Sequence, residues 1–530
     1  MNKQSVKRKR GYDDGSAITM DRLSQLPQPI LHSILSLLSQ KDAVRTSVLS
    51  KSWRYLWHGS LNVEFRDRDH GYTRNKRFWS FVDKTLQRYL DQNLFLQKFL
   101  VDLFYYDVDF ALLQKWIPVL IMNMCVRSFN LIFDWDHNNT MFFPLPLVVF
   151  QSESLVELHL QRCDLNTLKS TDNVMLNNLQ TLRLRDVHIT DEIFEKIISS
   201  CPLIENLGLL SCIGLKSIKL HKHHNIKDFD CSVNDQIIIE IENIQILESV
   251  RIRNCGDWFL CRTNTHFPHL KTLNLHSLKL PAKTFDNFSS FFPCLSELVL
   301  DSCHGLKEFR LFSSSIKRLT IKMDPGKRIK AFIDTPNILY FEYLGRDFLP
   351  SIKFTTTSNE WKSQIALWYK LEQSDDDATS WSSKLNKLLK ALSQSHIILH
   401  ITLDLYHKLQ INDSIGGLYK PVVVEHLKLW GCNSSYFDPT ILNCFFRICR
   451  PRFMHIDMYS NVQAKRNLIE YVTKLIPDET GYYFGLQDLE EVSTEVFDMK
   501  AREWHCVKWT SSPALCLEQP IRFQLTWKEQ

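Results

Sequence analysis

The chain has 530 residues, 44% of them hydrophobic and 23% charged, which excludes a disordered polyelectrolyte and exceeds what a single compact core accommodates. The formal net charge of +5 sits in the first ten residues, MNKQSVKRKR, where Lys3, Lys7, Arg8, Lys9 and Arg10 meet no acid. No apolar run reaches the roughly 18–20 residues of a membrane span, since WIPVLIMNMCV (116–126) is short and broken by Asn123, so no membrane partner is expected.

Residues 1–20 read as a disordered basic tail with no apolar leader core, which points away from secretion. Lys7, Arg8, Lys9 and Arg10 form either a nuclear-localisation cluster or a solvated terminus, consistent with nucleus or cytoplasm. The fourteen cysteines are then read as reduced thiols.

Residues 21–65 form the first folded segment. Leu26-Pro27 and Pro29 suit the first turn of a helix, and Ile30, Leu31, Ile34, Leu35, Leu37 and Leu38 follow in two apolar seams. A second helix near Lys41-Asp42 offers Val44, Val48 and Leu49. Ser50 can cap a third, which carries Trp53, Leu56 and Trp57. Three short helices cannot enclose so much apolar surface. The surplus is a docking face for a partner or a seat against the rest of the chain.

The order of these residues over 21–57 resembles an F-box, in particular that of plant F-box/leucine-rich-repeat proteins. The resemblance implies that Leu26, Pro27, Ile30, Ile34, Leu35 and Leu38, with Val44, Val48, Leu49, Ser50, Trp53 and Leu56, bind a Skp-type adaptor. Some of these residues must instead be the module's own core, and the sequence does not sort the two sets.

From residue 66 onward the template L-x-x-L-x-L recurs. Its starts at Leu155, Leu179, Ile204, Ile226, Leu247, Leu270, Leu295, Ile316 and Ile338 are spaced by 24, 25, 22, 21, 23, 25, 21 and 22 residues, within the leucine-rich-repeat range of about 20–29. Weaker copies lie at 96–104, 126–134, 398–406, 424–432 and 453–459. Each unit supplies one short strand that only a stack of units can bury. DEIFEKIISSCP (191–202) has helical spacing and suits an outer layer. Cys163, Cys212, Cys255, Cys303 and Cys432 occupy a turn position that wants a small buried residue. The segments behind the F-box also resemble the plant family, so likeness covers roughly residues 21–345. The expected fold is α/β: a three-helix F-box over 21–65, then a curved solenoid over 66–350 with parallel strands inside and helices or turns outside. Residues 351–395 are expected to be an insertion of loop plus helix, 396–460 further repeats, and 461–530 a C-terminal cap. The FBD-type ending that some of the family carry is not recognisable there.

Alternation places three residues of each strand on the solvent face. The row from Glu157 to Tyr459 holds seven Lys or Arg and eight Asp or Glu. A polyanion groove would be one-signed, so no nucleic-acid partner is expected. Charge in bands suits a protein target, with Arg183, Arg185, Arg251 and Arg253 as a positive cluster beside Asp228 and Asp230, and with Arg318 and Trp430 further along.

The sequence lacks GxSxG, Walker, HExxH and paired CxxC motifs. HKHHN (221–225) offers His221, His223 and His224 as metal ligands but lies in an inter-repeat turn with no supporting carboxylate or cysteine, so a solvated loop is expected there, and CGDWFLC (255–261) fits no common zinc site; neither cofactor nor enzymatic activity is expected. The resemblance implies a substrate-recognition subunit of an SCF-type ubiquitin ligase that works through a Skp adaptor, a cullin and a RING subunit on an unknown protein target. Alternatives are an F-box scaffold outside a ligase and a small-molecule-sensing repeat receptor.

Overall fold

The computed structural model describes residues 26–27, 30–31, 34, 62–66, 76–93, 96–103, 108–134, 141–220, 224–232, 237–241, 244–254, 266–280, 282–346, 349–355, 360–370, 375–404, 420–431, 441–457, 466, 469–472, 488–507 and 519–528. The chain divides into two compact units, residues 1–179 and 180–530.

The first unit is a parallel ladder in the order β1 (Asn62–Arg66), β2 (Lys98–Leu103), β3 (Ser128–Phe133) and β4 (Glu157–Gln161). Parallel neighbours need a crossover. Helix α1 (Lys76–Asp91) supplies it between β1 and β2, and α2 (Phe110–Met122) between β2 and β3. Asp109 caps α2 by accepting from the Leu112 N–H at 2.9 Å, and Asn123 ends it. Among the described residues no helix is long and apolar enough to cross a membrane. The two helices are tied by Asp83, which accepts from Lys115 Nζ at 2.9 Å and Trp116 Nε1 at 2.8 Å. Those hydrogen bonds hold its carboxyl below the usual carboxylate range. Phe65, Phe99, Phe129 and Phe133 are fully buried on the inner side of the strands, and Phe99 stacks on Phe129 at 5.6 Å.

The second unit continues the repeat with β5 (Thr181–Arg185), β6 (Asn206–Leu210), β7 (Asp228–Ser232), β8 (Ser249–Arg253), β9 (Thr272–His276), β10 (Glu297–Asp301), β11 (Arg318–Lys322) and β12 (Tyr340–Arg346). All pair in parallel and in register. The second and fourth residues of each strand, such as Leu273 and Leu275 or Leu298 and Leu300, are buried. Helix α3 (Asp191–Ser199) buries Ile193, Phe194, Ile197 and Ile198 as its spacing predicts, behind a Thr190 cap. Between β9 and β10 the expected helical turns are present as Ala282–Phe285 and Phe288–Phe291, while behind several other strands small parallel sheets take that place, Ser217–Leu220 with Ile238–Ile241 and Glu308–Phe312 with Lys330–Asp334 and Ser351–Thr355.

One turn geometry repeats after the strands. Arg162, Asp186, Ser211, Asn254, Ser277 and Ser302 each follow a strand with φ between 49° and 58°. Asp and Asn tolerate this left-handed conformation better than most residues. In the second unit the N–H of this residue donates to the last strand carbonyl of the next repeat, as Ser277 does to Asp301 at 2.8 Å and Ser302 to Lys322 at 2.8 Å. The residue after the turn points inward. Cys163, Cys212 and Cys303 fill that place, with the Cys303 thiol donating to the Leu275 carbonyl at 3.4 Å. Burial pushes Cys212 up to about 12 and Cys303 up to about 11, so these thiols are packing groups. Cys255 and Cys432 lie outside the described residues.

Strand β1 begins at Asn62, within the last residues of the segment read as the F-box. One expectation is corrected. The supposed insertion over 351–395 contains β13 (Lys362–Lys370), which pairs with β12 and with β14 (His396–Asp404), so the ladder is continuous there. The strand escapes the template because one inward position is Ser363. It is fully buried, with its hydroxyl 2.6 Å from that of Ser395. Helix α4 (Asp375–Ala391) follows β13.

Beyond β14 come β15 (Val422–Gly431), helix α5 (Ile441–Ile448) and β16 (Cys449–Asp457). The last strands reverse direction. Of β17 (Leu489–Asp498), β18 (Glu503–Cys506) and β19 (Ile521–Trp527), β19 lies antiparallel on β16, β17 on β19 and β18 on β17.

Gly305 follows the Ser302 turn with φ +89°, and a Cβ there would lie 2.4 Å from the Leu280 carbonyl oxygen. Gly305→Ala is expected to lose about 1–3 kcal/mol in urea unfolding. Gly326→Ala, at φ +74° in open space, should lose less, because only backbone strain acts there.

Candidate functional site

Two surfaces are candidates. In the N-terminal module, Ile30, Leu31 and Ile34 are helical, and the N–H groups of Ile30 and Leu31 donate to the Pro27 carbonyl at 2.9 and 3.2 Å. Leu31 is 2% exposed and Ile30 47%. That sorts one neighbouring pair: Leu31 belongs to a core, while Ile30 faces out beside exposed Pro27. Leu26 and Ile34 are half-buried. Leu35, Leu38, Val44, Val48, Leu49, Ser50, Trp53 and Leu56 lie outside the described residues, as do Lys7, Arg8, Lys9 and Arg10.

The second surface is the outer face of the strands. In the second unit the register aligns Arg183, Gly208, Asp230, Arg251, Asn274, Val299, Thr320 and Glu342 across successive strands. Gly208 lies close under its neighbour. A Cβ there would lie 3.3 Å from Arg183 Cγ, so the arginine stem occupies the space above it.

The positive cluster read from the sequence is not a set of free cations. Asp230 accepts from Arg251 at 2.9 Å and from Arg253 at 2.9 and 3.0 Å. Arg185 lies 3.6 Å from Asp186. The reason is the register, which sets Asp230 directly beside Arg251, a cross-strand pairing that opposite charges favour. Asp228 is exposed at the start of β7. Arg318 lies over the Tyr340 ring at 5.4 Å, and Trp430 is 44% exposed.

Comparison with known proteins agrees with this arrangement. Residues 23–63 match the F-box domain model, and residues 113–255 match the model described as "FBD-associated F-box protein At5g56370, LRR repeats". The chain carries an F-box followed by leucine-rich repeats. Its relatives are Arabidopsis thaliana proteins. F-box/LRR-repeat protein At3g59200 is 34% identical over 38% of this chain and 39% of its own length. F-box/LRR-repeat protein 13 is 29% identical over 44% and 51%. F-box/FBD/LRR-repeat protein At1g51370 is 29% identical over 43% and 50%. The chain thus spans about half the length, or less, of these relatives.

The leucine-rich repeats bring together a group that periodicity did not reveal. His426 and His455 face each other across β15 and β16, with Nδ1 and Nε2 3.0 Å apart. His426 stacks on Phe453 at 5.3 Å. The Trp504 ring is edge-on to His455 at 5.9 Å, and the Arg522 guanidinium lies 4.3 Å from the Trp504 ring centre. Arg522 is held by Glu495. His400, His426 and His455 belong to the predicted row. Arg522 and Trp504 come from the antiparallel strands, where no repeat announces them. Among the described residues no group of three or more His, Cys, Asp or Glu is placed to hold a metal ion. In HKHHN, His221 and His223 lie outside the described residues, as does the whole of CGDWFLC.

Burial, followed by the charges of His426, Lys428, Arg522 and His400, pushes His455 from 6.5 down to about 3. Between those values an unfolded chain binds a proton at His455 that the folded one refuses. The stability associated with the neutral ring is therefore complete above pH 6.5 and is lost as pH falls toward 3. His455→Gln is expected to flatten this acid limb, read as a smaller drop in melting temperature from pH 7 to pH 4.5 than in the unsubstituted protein.

Proposed function

We propose that the protein is a substrate-recognition subunit of an SCF-type ubiquitin ligase. The F-box seats on a Skp-type adaptor, through which a cullin and a RING subunit are recruited. The outer face of the repeat strands holds a target protein. The observation that carries this reading is an F-box at residues 23–63 ahead of a ladder whose solvent face is mixed in charge and tied into local pairs. Such a face favours a protein with a matching pattern over a polyanion.

In this role the chain does no bond chemistry. Holding a lysine-bearing target near a charged conjugating enzyme turns an encounter between separate molecules into a local one, and positioning alone supplies the rate gain. Apolar side chains at the centre of the F-box face supply most of the adaptor affinity, as a few central residues do in protein interfaces generally.

Purified full-length protein is expected to bind a Skp-type adaptor in calorimetry. The double variant Leu26→Ala, Pro27→Ala should lose about tenfold or more of that affinity while keeping its circular dichroism. Ile30→Ala should weaken adaptor binding without unfolding, whereas Leu31→Ala should act through stability. A folded wild-type chain that ignores the adaptor would reject the proposal.

A further inference from the structure

The strands near the end of the ladder outgrow the repeat. From β5 to β11 each has five residues, which leaves three outward positions. Strand β12 has seven residues, β13 and β14 nine each, and β15 ten. In register, the extra length adds a fourth outward row. Arg346 on β12 is opposite Trp368 on β13, Trp368 is opposite Thr402 on β14, and Thr402 is opposite Trp430 on β15. The next position, on β16, is Asp457.

Two large rings dominate this row. Trp368 is 45% exposed and Trp430 44%, although the residues before them, Leu367 and Leu429, already fill the core. Only the short side chain of Thr402 stands between the indoles, and half-buried Leu344 and Ala366 in the adjoining row extend the apolar floor beside Trp368. The row is not a charged track. Arg346 is exposed, lies over the Trp368 ring at 3.4 Å from its centre and pairs with no carboxylate among the described residues. Asp457 ends the row with the opposite sign. Exposed tryptophans with an arginine beside them are the residue types that anchor protein interfaces.

The spacing of the two rings selects an occupant. Neighbouring strands lie about 4.8 Å apart, so two strand steps set the indoles about 9.6 Å apart along the row. A polyproline II helix rises about 3.1 Å per residue with three residues per turn, which puts residues i and i+3 on one face about 9.3 Å apart. A β-strand repeats on one face every 6.7 Å or so and misses the second ring. We propose that the row docks a proline-rich segment of the captured protein in the polyproline II conformation. The segment crosses the strands with prolines at i and i+3 laid on Trp368 and Trp430, and an acidic residue at one end is received by Arg346. Such a segment is extended before it binds, so it loses little conformational freedom on docking. The proposal rests on the receptor reading only for whose segment this is. The patch itself is independent of the F-box.

The test is fluorescence anisotropy with full-length protein and a fluorescein-labelled, end-blocked Glu-Pro-Ala-Pro-Pro-Ala-Pro peptide, beside counterparts with Ala for every Pro and with Gln for Glu. The proline peptide should bind about tenfold more tightly than the alanine one, and Trp368→Ala and Trp430→Ala should each remove most of that advantage. Both indoles are exposed, so neither change should alter circular dichroism. Arg346→Gln should erase the preference for Glu over Gln and leave the proline preference in place. Equal binding of the proline and alanine peptides, or a proline preference that survives both tryptophan changes in a folded protein, would overturn the proposal. So would displacement of the peptide by a short deoxythymidine oligomer at physiological salt, which would reassign the indoles to base stacking. Skp-adaptor binding by the same samples keeps the two readings apart. Adaptor binding without proline preference removes only the proline-rich segment, and proline preference without adaptor binding removes only the ligase role.

Discussion

In most of the five-residue repeat strands the second and fourth side chains are buried and the others are partly or fully exposed, and no strand can hide its buried pair alone. That constraint makes the parallel stack obligatory. A left-handed turn after the strand, at Asp186, Ser211, Asn254, Ser277 and Ser302, keeps successive strands in step by handing its N–H to the next repeat. Once the register is locked, the exposed residues of neighbouring strands become neighbours in space. Arg251 then meets Asp230, Lys428 meets His455, and the stem of Arg183 passes over Gly208. The solvent face is therefore written by the same pairing that forms the core.

The face is not uniform along the ladder. Around β7 and β8 the ion pairs are closed, and closed surface pairs of this kind contribute about 0–1 kcal/mol each, so their value lies in pattern more than in stability. Around β15 and β16 imidazoles and indoles line the face beside the closed pairs Arg522–Glu495 and Arg452–Glu425. Half-buried His426 and His455 stay neutral there because burial and neighbouring cations oppose their protonation. One scaffold thus presents two chemically different stretches without any change of backbone.

Much of the ladder was legible in the sequence because Leu, Ile, Val and Phe return at fixed intervals to inward positions. From β4 to β12 each strand begins two residues after its template start, from Glu157 after Leu155 to Tyr340 after Ile338. The reading failed where that signal is interrupted. NVEFR at β1 is a single short alternation. Ser363 stands where β13 should show an apolar residue, its hydroxyl satisfied by Ser395. LEEVSTEVFD at β17 shows no repeat spacing, because an antiparallel strand need not conform to it. At the surface, alternation identified the outward residues, but only register could show that Asp230 takes two arginines. In the F-box, no spacing rule separates Ile30 from Leu31. Their exposures of 47% and 2% come from packing that one helix does not encode.

The reversed strand β19 has a consequence for when the protein becomes competent. It contributes Ile521, Phe523 and Leu525 to the interior and Arg522 to the outer face, on a strand that pairs with β16 from about 70 residues further along the chain. A chain halted by a nonsense codon before Ile521 would keep the earlier repeats but leave the edge of β16 without its antiparallel partner and Glu495 without Arg522. The outer face is thereby completed only when the last strands of the chain have been made, so its surface chemistry is tied to finished synthesis.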